Sequence, residues 1–231
     1  MNYDTVEVSK FSALASQWWD KTGPCAPLHV LNPCRLQFIQ RNAVIANKNI
    51  LDVGCGAGIL TESLAENRAQ VIGIDASDSV IAEAQAHAAA KRLDITYKHL
   101  TVEEMLSNYT GQFDIVTCME LIEHVPDPCK LIADCAQLLK PGGKFFLSTI
   151  NRTPRAYLLA ILAAEYILNI LPKQTHDYKK FIKPSELADM LQTANLKLTA
   201  LNGLQYKPFT KTASIGSDVR VNYLAYAIKE I

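Results

Sequence analysis

Apolar and polar positions change period repeatedly between residues 48 and 150, and each change marks an element. "KNILDV" is a short apolar run that stops at a cluster of glycines. "GILTESLAENR" then spaces Ile59, Leu60, Leu64 and Ala65 as one helical face would. "AQVIGID" is a second apolar run, ending at Asp75. "SDSVIAEAQAHAAAKR" opens on Ser77 and Asp78, both good N-cap types, and continues as an alanine-rich helix. "ITYKHL" reads as a third strand. "FDIVTCM" is nearly all apolar, as a strand buried on both faces of a parallel sheet should be. "DPCKLIADCAQLLKPGG" predicts a helix ending at Pro141-Gly142-Gly143, before another buried strand, "KFFLSTI". Strand and helix in repeated alternation predict an α/β fold with a doubly wound, mostly parallel sheet.

The flanks differ. Residues 1–45 predict two helices, around Phe11–Trp19 and Pro33–Ile45, joined by the breaker-rich "KTGPCAPLHVLN". Residues 151–195 predict an unusually apolar helix and a second one, "PSELADMLQTANL". "LKLTALNGLQY" and "VRVNYLAYAIKE" read as two strands with a loop between. Residues 1–231 are thus expected to form one domain, with a helical cap over 1–45 and an apolar, basic insertion over 152–183.

Composition narrows the function. Half of the chain is hydrophobic, and 23 basic residues balance 23 acidic ones. Nothing in that balance points to nucleic acid, which draws on a basic excess. The six cysteines form no C-x-x-C pair, so zinc-knuckle and thioredoxin chemistry are disfavoured. "MNYDTVEVSKFSALASQWWD" has no positive segment followed by an apolar one, so no secretory signal is expected and the protein is read as cytoplasmic, with reduced cysteines.

The glycines Gly54, Gly56 and Gly58 fall where the first strand should turn into the first helix. A ligand there meets unpaired N–H groups and the positive end of a helix dipole. The spacing is G-x-G-x-G, and Ile59 keeps it from matching the G-x-G-x-x-G of dinucleotide folds. Asp75, at the end of the second strand, suits a ribose diol. Asp52 adds a second acid beside the loop. An acidic loop favours a nucleoside that carries positive charge, as S-adenosylmethionine (SAM) does on its sulfonium and α-ammonium.

"LDVGCGAG", "VIGID" and "LLKPGGKFFLST" together resemble the class I SAM-dependent methyltransferases. "ASQWWD", "PLHVLNPCRL", "VTCMELIEHVPDP", "STINRT" and "AEYILNILPKQTHDYKKFIKPSEL" extend the resemblance, over nearly the whole chain, to the ubiquinone-biosynthesis O-methyltransferases. Ala57 departs from the family, where a further glycine is usual. The resemblance implies a seven-stranded sheet whose last strand is antiparallel. It implies methylation of phenolic hydroxyls on a polyprenylated phenol or quinol, a 2-polyprenyl-6-hydroxyphenol and a 3-demethylubiquinol, and partners in a ubiquinone-biosynthesis complex. Arg35, Gly54, Asp75 and Met119, with Gly56 of the same loop, would then contact the cofactor. Physically, Arg35 suits a carboxylate, and Met119 suits packing against adenine.

The chemistry needs a phenolate, and a phenol's pKa lies near 10 by analogy with tyrosine. In "MELIEHVPDP", a helical turn would set Glu120, Glu123 and His124 at i, i+3 and i+4, on one face. Three readings stay open. The trio could hold Mg²⁺ or another divalent cation against a catechol. His124 could act alone as a general base. All three could be structural.

"YLLAILAAEYILNIL", Tyr157–Leu171, is apolar apart from Glu165 and Asn169, and too short for a span of roughly twenty residues. From 152 to 183 the charges are Arg152, Arg155, Lys173, Lys179, Lys180 and Lys183 against Glu165 and Asp177, so 6 − 2 = +4 in a neutral chain. Docking on an anionic lipid surface, at the inner face of the membrane, is the expectation. A buried core helix is the alternative. Two other functions compete with methyl transfer: a nicotinamide oxidoreductase on a similar sheet, and a non-catalytic membrane-docking assembly protein.

Overall fold

The computed structural model describes residues 2–159 and 177–230. Eight strands form one sheet in the order β3-β2-β1-β4-β5-β8-β6-β7. β1 (Asn49–Val53), β2 (Gln70–Asp75), β3 (Thr96–His99), β4 (Phe113–Met119) and β5 (Leu139–Ile150) pair in parallel, and β8 (Asn222–Lys229) joins β5 antiparallel. β6 (Leu196–Lys207) lies antiparallel to β8, and β7 (Thr212–Gly216) antiparallel to β6. The doubly wound sheet and its antiparallel final strand agree with the sequence; the count is eight against the seven expected. The eighth is β7, which folds back on β6 from the expected loop.

Side chains of β1 alternate between two cores. Leu51 and Val53 face a layer built by α5 (Val102–Tyr109), α6 (Pro128–Leu138) and α7 (Pro184–Thr193). Ile50 faces α2 (Ala26–Asn42) and α3 (Ile59–Glu66). Each fully buried aliphatic or aromatic residue in these layers contributes roughly 1.5–3 kcal/mol. α4 (Asp78–Lys91) starts at Ser77, whose hydroxyl accepts from the Val80 N–H, as its N-cap type predicts.

Three boundaries move. α6 stops at Leu138, and Pro141-Gly142-Gly143 lies inside β5, where the pairing with β4 shifts register between Phe113 and Ile115. The N-terminal helices begin earlier than expected. α1 spans Thr5–Ser12, capped by Asp4, and α2 runs through Pro33, which removes one internal hydrogen bond without ending the helix. α5 was not anticipated; its start is a capping box between Thr101 and Glu104.

Candidate active site

The carboxyl ends of β1, β2 and β4 open into a cavity of about 790 Å³, a size typical of sites that enclose a small molecule. The glycine loop forms its floor. Gly54 (φ +65°) and Gly56 (φ +55°) both occupy the left-handed region, which side chains disfavour. Crowding adds to this. A Cβ on Gly54 would lie 2.7 Å from Leu121 Cδ2, and one on Gly56 2.5 Å from Trp18 Cζ2. The loop therefore answers to both demands on glycine, a backbone turn and close approach.

Asp75 stands at the end of β2 and organises that loop. Its Oδ2 accepts from Gly56 N–H at 3.0 Å, and its Oδ1 from Ser77 N–H at 2.9 Å. Burial raises its pKa nonetheless. Asp52 is deeper. Thr61 and Thr117 donate to its two oxygens at 2.7 and 2.6 Å, and burial pushes its pKa up to about 6.

Arg35, on α2, is buried in the cavity wall. Its Nη2 lies 3.5 Å from Glu120 Oε1, yet Nε and Nη2 find no hydrogen-bond acceptor. A buried guanidinium with unfilled donors fits an incoming carboxylate. Met119 closes β4 and lines the same cavity. All five cofactor candidates from the sequence (Arg35, Gly54, Gly56, Asp75 and Met119) therefore line one cavity.

The acid–imidazole trio is not brought together as a cation site. Glu120 sits at φ +52°, so residues 120–124 do not continue as a single helical turn. Glu120 accepts from Ser148 Oγ at 2.7 Å. Glu123 is buried away from the cavity lining and accepts from Thr149 Oγ1 at 2.8 Å. Burial, and then the Glu120 charge, push its carboxyl up to about 8. His124 lines the cavity and pairs instead with Glu7, Nδ1 to Oε2 at 3.0 Å. Among the described residues no group of three His, Cys, Asp or Glu side chains could hold a metal ion. The three side chains expected to share a site are thus apart in this structure, and Glu123 is not among the residues that line the cavity.

The N-terminal cap supplies walls that sequence reasoning missed. Glu7, Phe11 and Trp18 all line the cavity. The "ASQWWD" stretch was the one available signal. Its second indole, Trp19, donates to the Ala57 carbonyl and stacks on His87 at 3.4 Å between ring centroids. Tyr157, Leu158 and Leu159 are exposed, and Leu159 also lines the cavity. The rest of the apolar segment, residues 160–176, lies outside the described residues.

This sheet, glycine loop and acid define a class I SAM-dependent methyltransferase. A methyltransferase-domain family model matches residues 31–201. The chain is 52 % identical to a ubiquinone biosynthesis O-methyltransferase of Aromatoleum aromaticum, over 98 % of this chain and 97 % of that one. It is 48 % identical to the enzyme of that name from Hahella chejuensis, over 100 % and 97 %. The chain belongs to the ubiquinone biosynthesis O-methyltransferase family. In fold it is similar to magnesium protoporphyrin IX methyltransferase from Synechocystis PCC 6803 solved with bound SAM, at a TM-score of 0.62 and 18 % identity over 89 % of this chain and 81 % of that one. A SAM-dependent methyltransferase from Aquifex aeolicus gives 0.64 at 14 % identity, over 96 % and 98 %.

Proposed function

We propose that the chain methylates phenolic hydroxyls of polyprenylated, catechol-like rings in ubiquinone biosynthesis, with His124 as the acceptor's base. The acceptors are a 2-polyprenyl-6-hydroxyphenol and a 3-demethylubiquinol. The observation that carries this reading is His124 in the wall of the cavity that also holds Asp75, Arg35 and Met119. When bound, SAM supplies a sulfonium methyl that a phenolic oxygen takes in line, leaving S-adenosylhomocysteine. Asp75 would hold the ribose diol, Arg35 the carboxylate, and Met119 would pack on the adenine. Glu120, 3.5 Å from Arg35 Nη2, lies beside that guanidinium. His124 receives the phenol proton, which the acceptor cannot lose unaided at neutral pH.

This reading takes the base as metal-free, and a cation held at Glu120, Glu123 and His124 is the competing outcome of the test. The test is methyl transfer to a short-chain 2-prenyl-6-hydroxyphenol, with and without EDTA. Turnover that persists in EDTA is expected. Turnover abolished by EDTA and restored by Mg²⁺ would overturn the base reading in favour of a cation recruited with the substrate.

The acceptor's prenyl tail belongs in a bilayer. In this reading the enzyme works as a peripheral protein on an anionic surface at the inner face of the membrane, beside other ubiquinone-biosynthesis proteins. Residues 1–45 act as a cap, and 152–183 as the docking insertion of the single domain. Exposed Tyr157, Leu158 and Leu159 support this, because Leu159 also lines the cavity. Among the described residues no helix is long and apolar enough to cross a membrane.

A further inference from the structure

Among the described residues, the exposed large hydrophobic side chains are Val6, Val44, Tyr157, Leu158, Leu159 and Phe209. All but Val44 belong to segments that line the cavity. Val6 precedes the lining residues Glu7 and Val8, Leu159 is itself a lining residue, and Phe209 follows the lining pair Lys207 and Pro208. Phe209 is the most open of them, at 88 %. It stands in the turn between β6 and β7, just past their last ladder pair, Lys207 with Thr212. The turn has a defined shape: the Lys211 N–H donates to the Pro208 carbonyl at 3.3 Å, and Thr210 Oγ1 meets Thr212 Oγ1 at 2.8 Å. Its base is anchored, since Tyr206, Ala213 and Ile215 pack against the core beside α2. One exposed apolar residue is ordinary by itself; the charges around this one single it out. Residues 196–217 hold Lys197, Lys207 and Lys211 and no acid. Among the described residues neither Lys207 nor Lys211 pairs with a carboxylate.

We propose that the β6–β7 turn is a second lipid contact, separate from residues 152–183, in which Phe209 enters the interface of an anionic bilayer while Lys207 and Lys211 meet its headgroups. The inference rests on the acceptor being drawn from a membrane. An aromatic ring with a cation two residues to either side matches the layering of such a surface: the ring takes the acyl boundary and the ammonium groups stay at headgroup level. Continuity with the cavity favours lipid over an acidic protein partner. Leu159 from one segment and Pro208 from the other line the same cavity, and the acceptor brings a prenyl tail that must leave it. With both segments on the bilayer, that tail passes from lipid to protein without crossing water. Burying the Phe209 ring also recovers the apolar gain that it forgoes in solution.

The test uses the full chain with F209S, F209W and K211Q, and vesicles of phosphatidylglycerol with phosphatidylcholine against phosphatidylcholine alone. F209S should weaken binding to the anionic vesicles roughly 10-fold, as loss of one buried ring implies. K211Q should weaken it about 5-fold at low salt and little at high salt. Both variants should keep the parental Tm and the parental turnover of a short-chain acceptor in solution, because neither residue lines the cavity. In F209W, brominated lipid should quench more fluorescence than in the parent, whose Trp18 and Trp19 belong to the N-terminal cap. Parental vesicle affinity in F209S, or F209W quenched no more than the parent, would overturn the contact at the turn and leave 152–183 as the dock. A parental dimer that F209S converts to monomer would assign the ring to a second copy of the chain and overturn the lipid contact. A parent that ignores anionic vesicles at low salt would overturn membrane docking as a whole, and this inference with it.

Discussion

The Trp18 indole closes directly over Gly56, with Cζ2 2.5 Å from where a Cβ would stand. The contact joins the N-terminal cap to the glycine loop, so one atom added at position 56 acts on both. Gly56→Ala must also hold φ near +55°, at a cost of order 1–3 kcal/mol for a non-glycine residue. The variant should melt earlier and bind SAM more weakly, because Trp18 is displaced from the cavity wall. Thermal melts and titration calorimetry read the two effects separately. Parental SAM affinity in the folded variant would remove Trp18 from the cofactor site.

Asp75 supports the loop and faces the ligand at once. Asp75→Ala removes the acceptor for Gly56 N–H and Ser77 N–H together with the proposed ribose contact. Loss of charged hydrogen bonds of this kind costs about 1.5–3 kcal/mol in SAM binding. Calorimetry giving unchanged affinity in a folded variant would sink the assignment.

Glu123 predicts a pH dependence of stability. Its carboxyl is pushed up to about 8 from an ordinary 4.5. Between those values the folded state keeps a proton that the unfolded chain has released. Its contribution is therefore whole below about pH 4.5 and is lost as pH rises through about 8, at no more than ~1.4 kcal/mol per pH unit. Glu7 has the opposite sign. His124, and then Lys10, hold its carboxyl down to about 2, so its contribution is present above about 4.5 and lost as pH falls toward 2. Glu123→Gln imitates the protonated acid and should flatten the alkaline arm. Melts of parent and variant should diverge between about pH 5 and 8; parallel profiles would show Glu123 ionised in the fold.

The alternation of β1, α3, β2, α4 and β4 was legible because strands buried on both faces read as apolar runs. The family motifs placed the glycine loop, Asp75, Arg35 and Met119, and one cavity gathers them. Weaker signals failed for physical reasons. α5 buries only Val102 and Met105, so its apolar face is thin. β7 is Thr-Ala-Ser-Ile-Gly, a short strand held by pairing to β6 rather than by a large apolar face. Spacing put Glu120, Glu123 and His124 on one face only if the backbone stayed helical, and Glu120 turns to φ +52°. Glu7 carries no local signal, since its partner is 117 residues away.

Docking on lipid yields the last prediction. The charge of +4 over 152–183 overstates what a membrane meets. Arg152 pairs with Glu186, Arg155 with Asp218 at 3.3 Å, and Lys180 lies 3.9 Å from Asp4. A free basic residue near an anionic surface is worth about 1 kcal/mol, and a residue already paired offers less. Apolar contact must then carry a larger share, and Leu158, 54 % exposed, is the side chain placed to make it. The parent should float with anionic vesicles at low salt and with fewer of them at high salt, retaining an apolar remainder. Leu158→Asp should reduce flotation at both salt levels with an unchanged melt, because an exposed position tolerates the charge. Neutral vesicles should capture less protein than anionic ones. A parent that stays in the supernatant with anionic vesicles at low salt would sink the docking role, and Leu158 and Leu159 would then belong to the rim of the acceptor cavity alone.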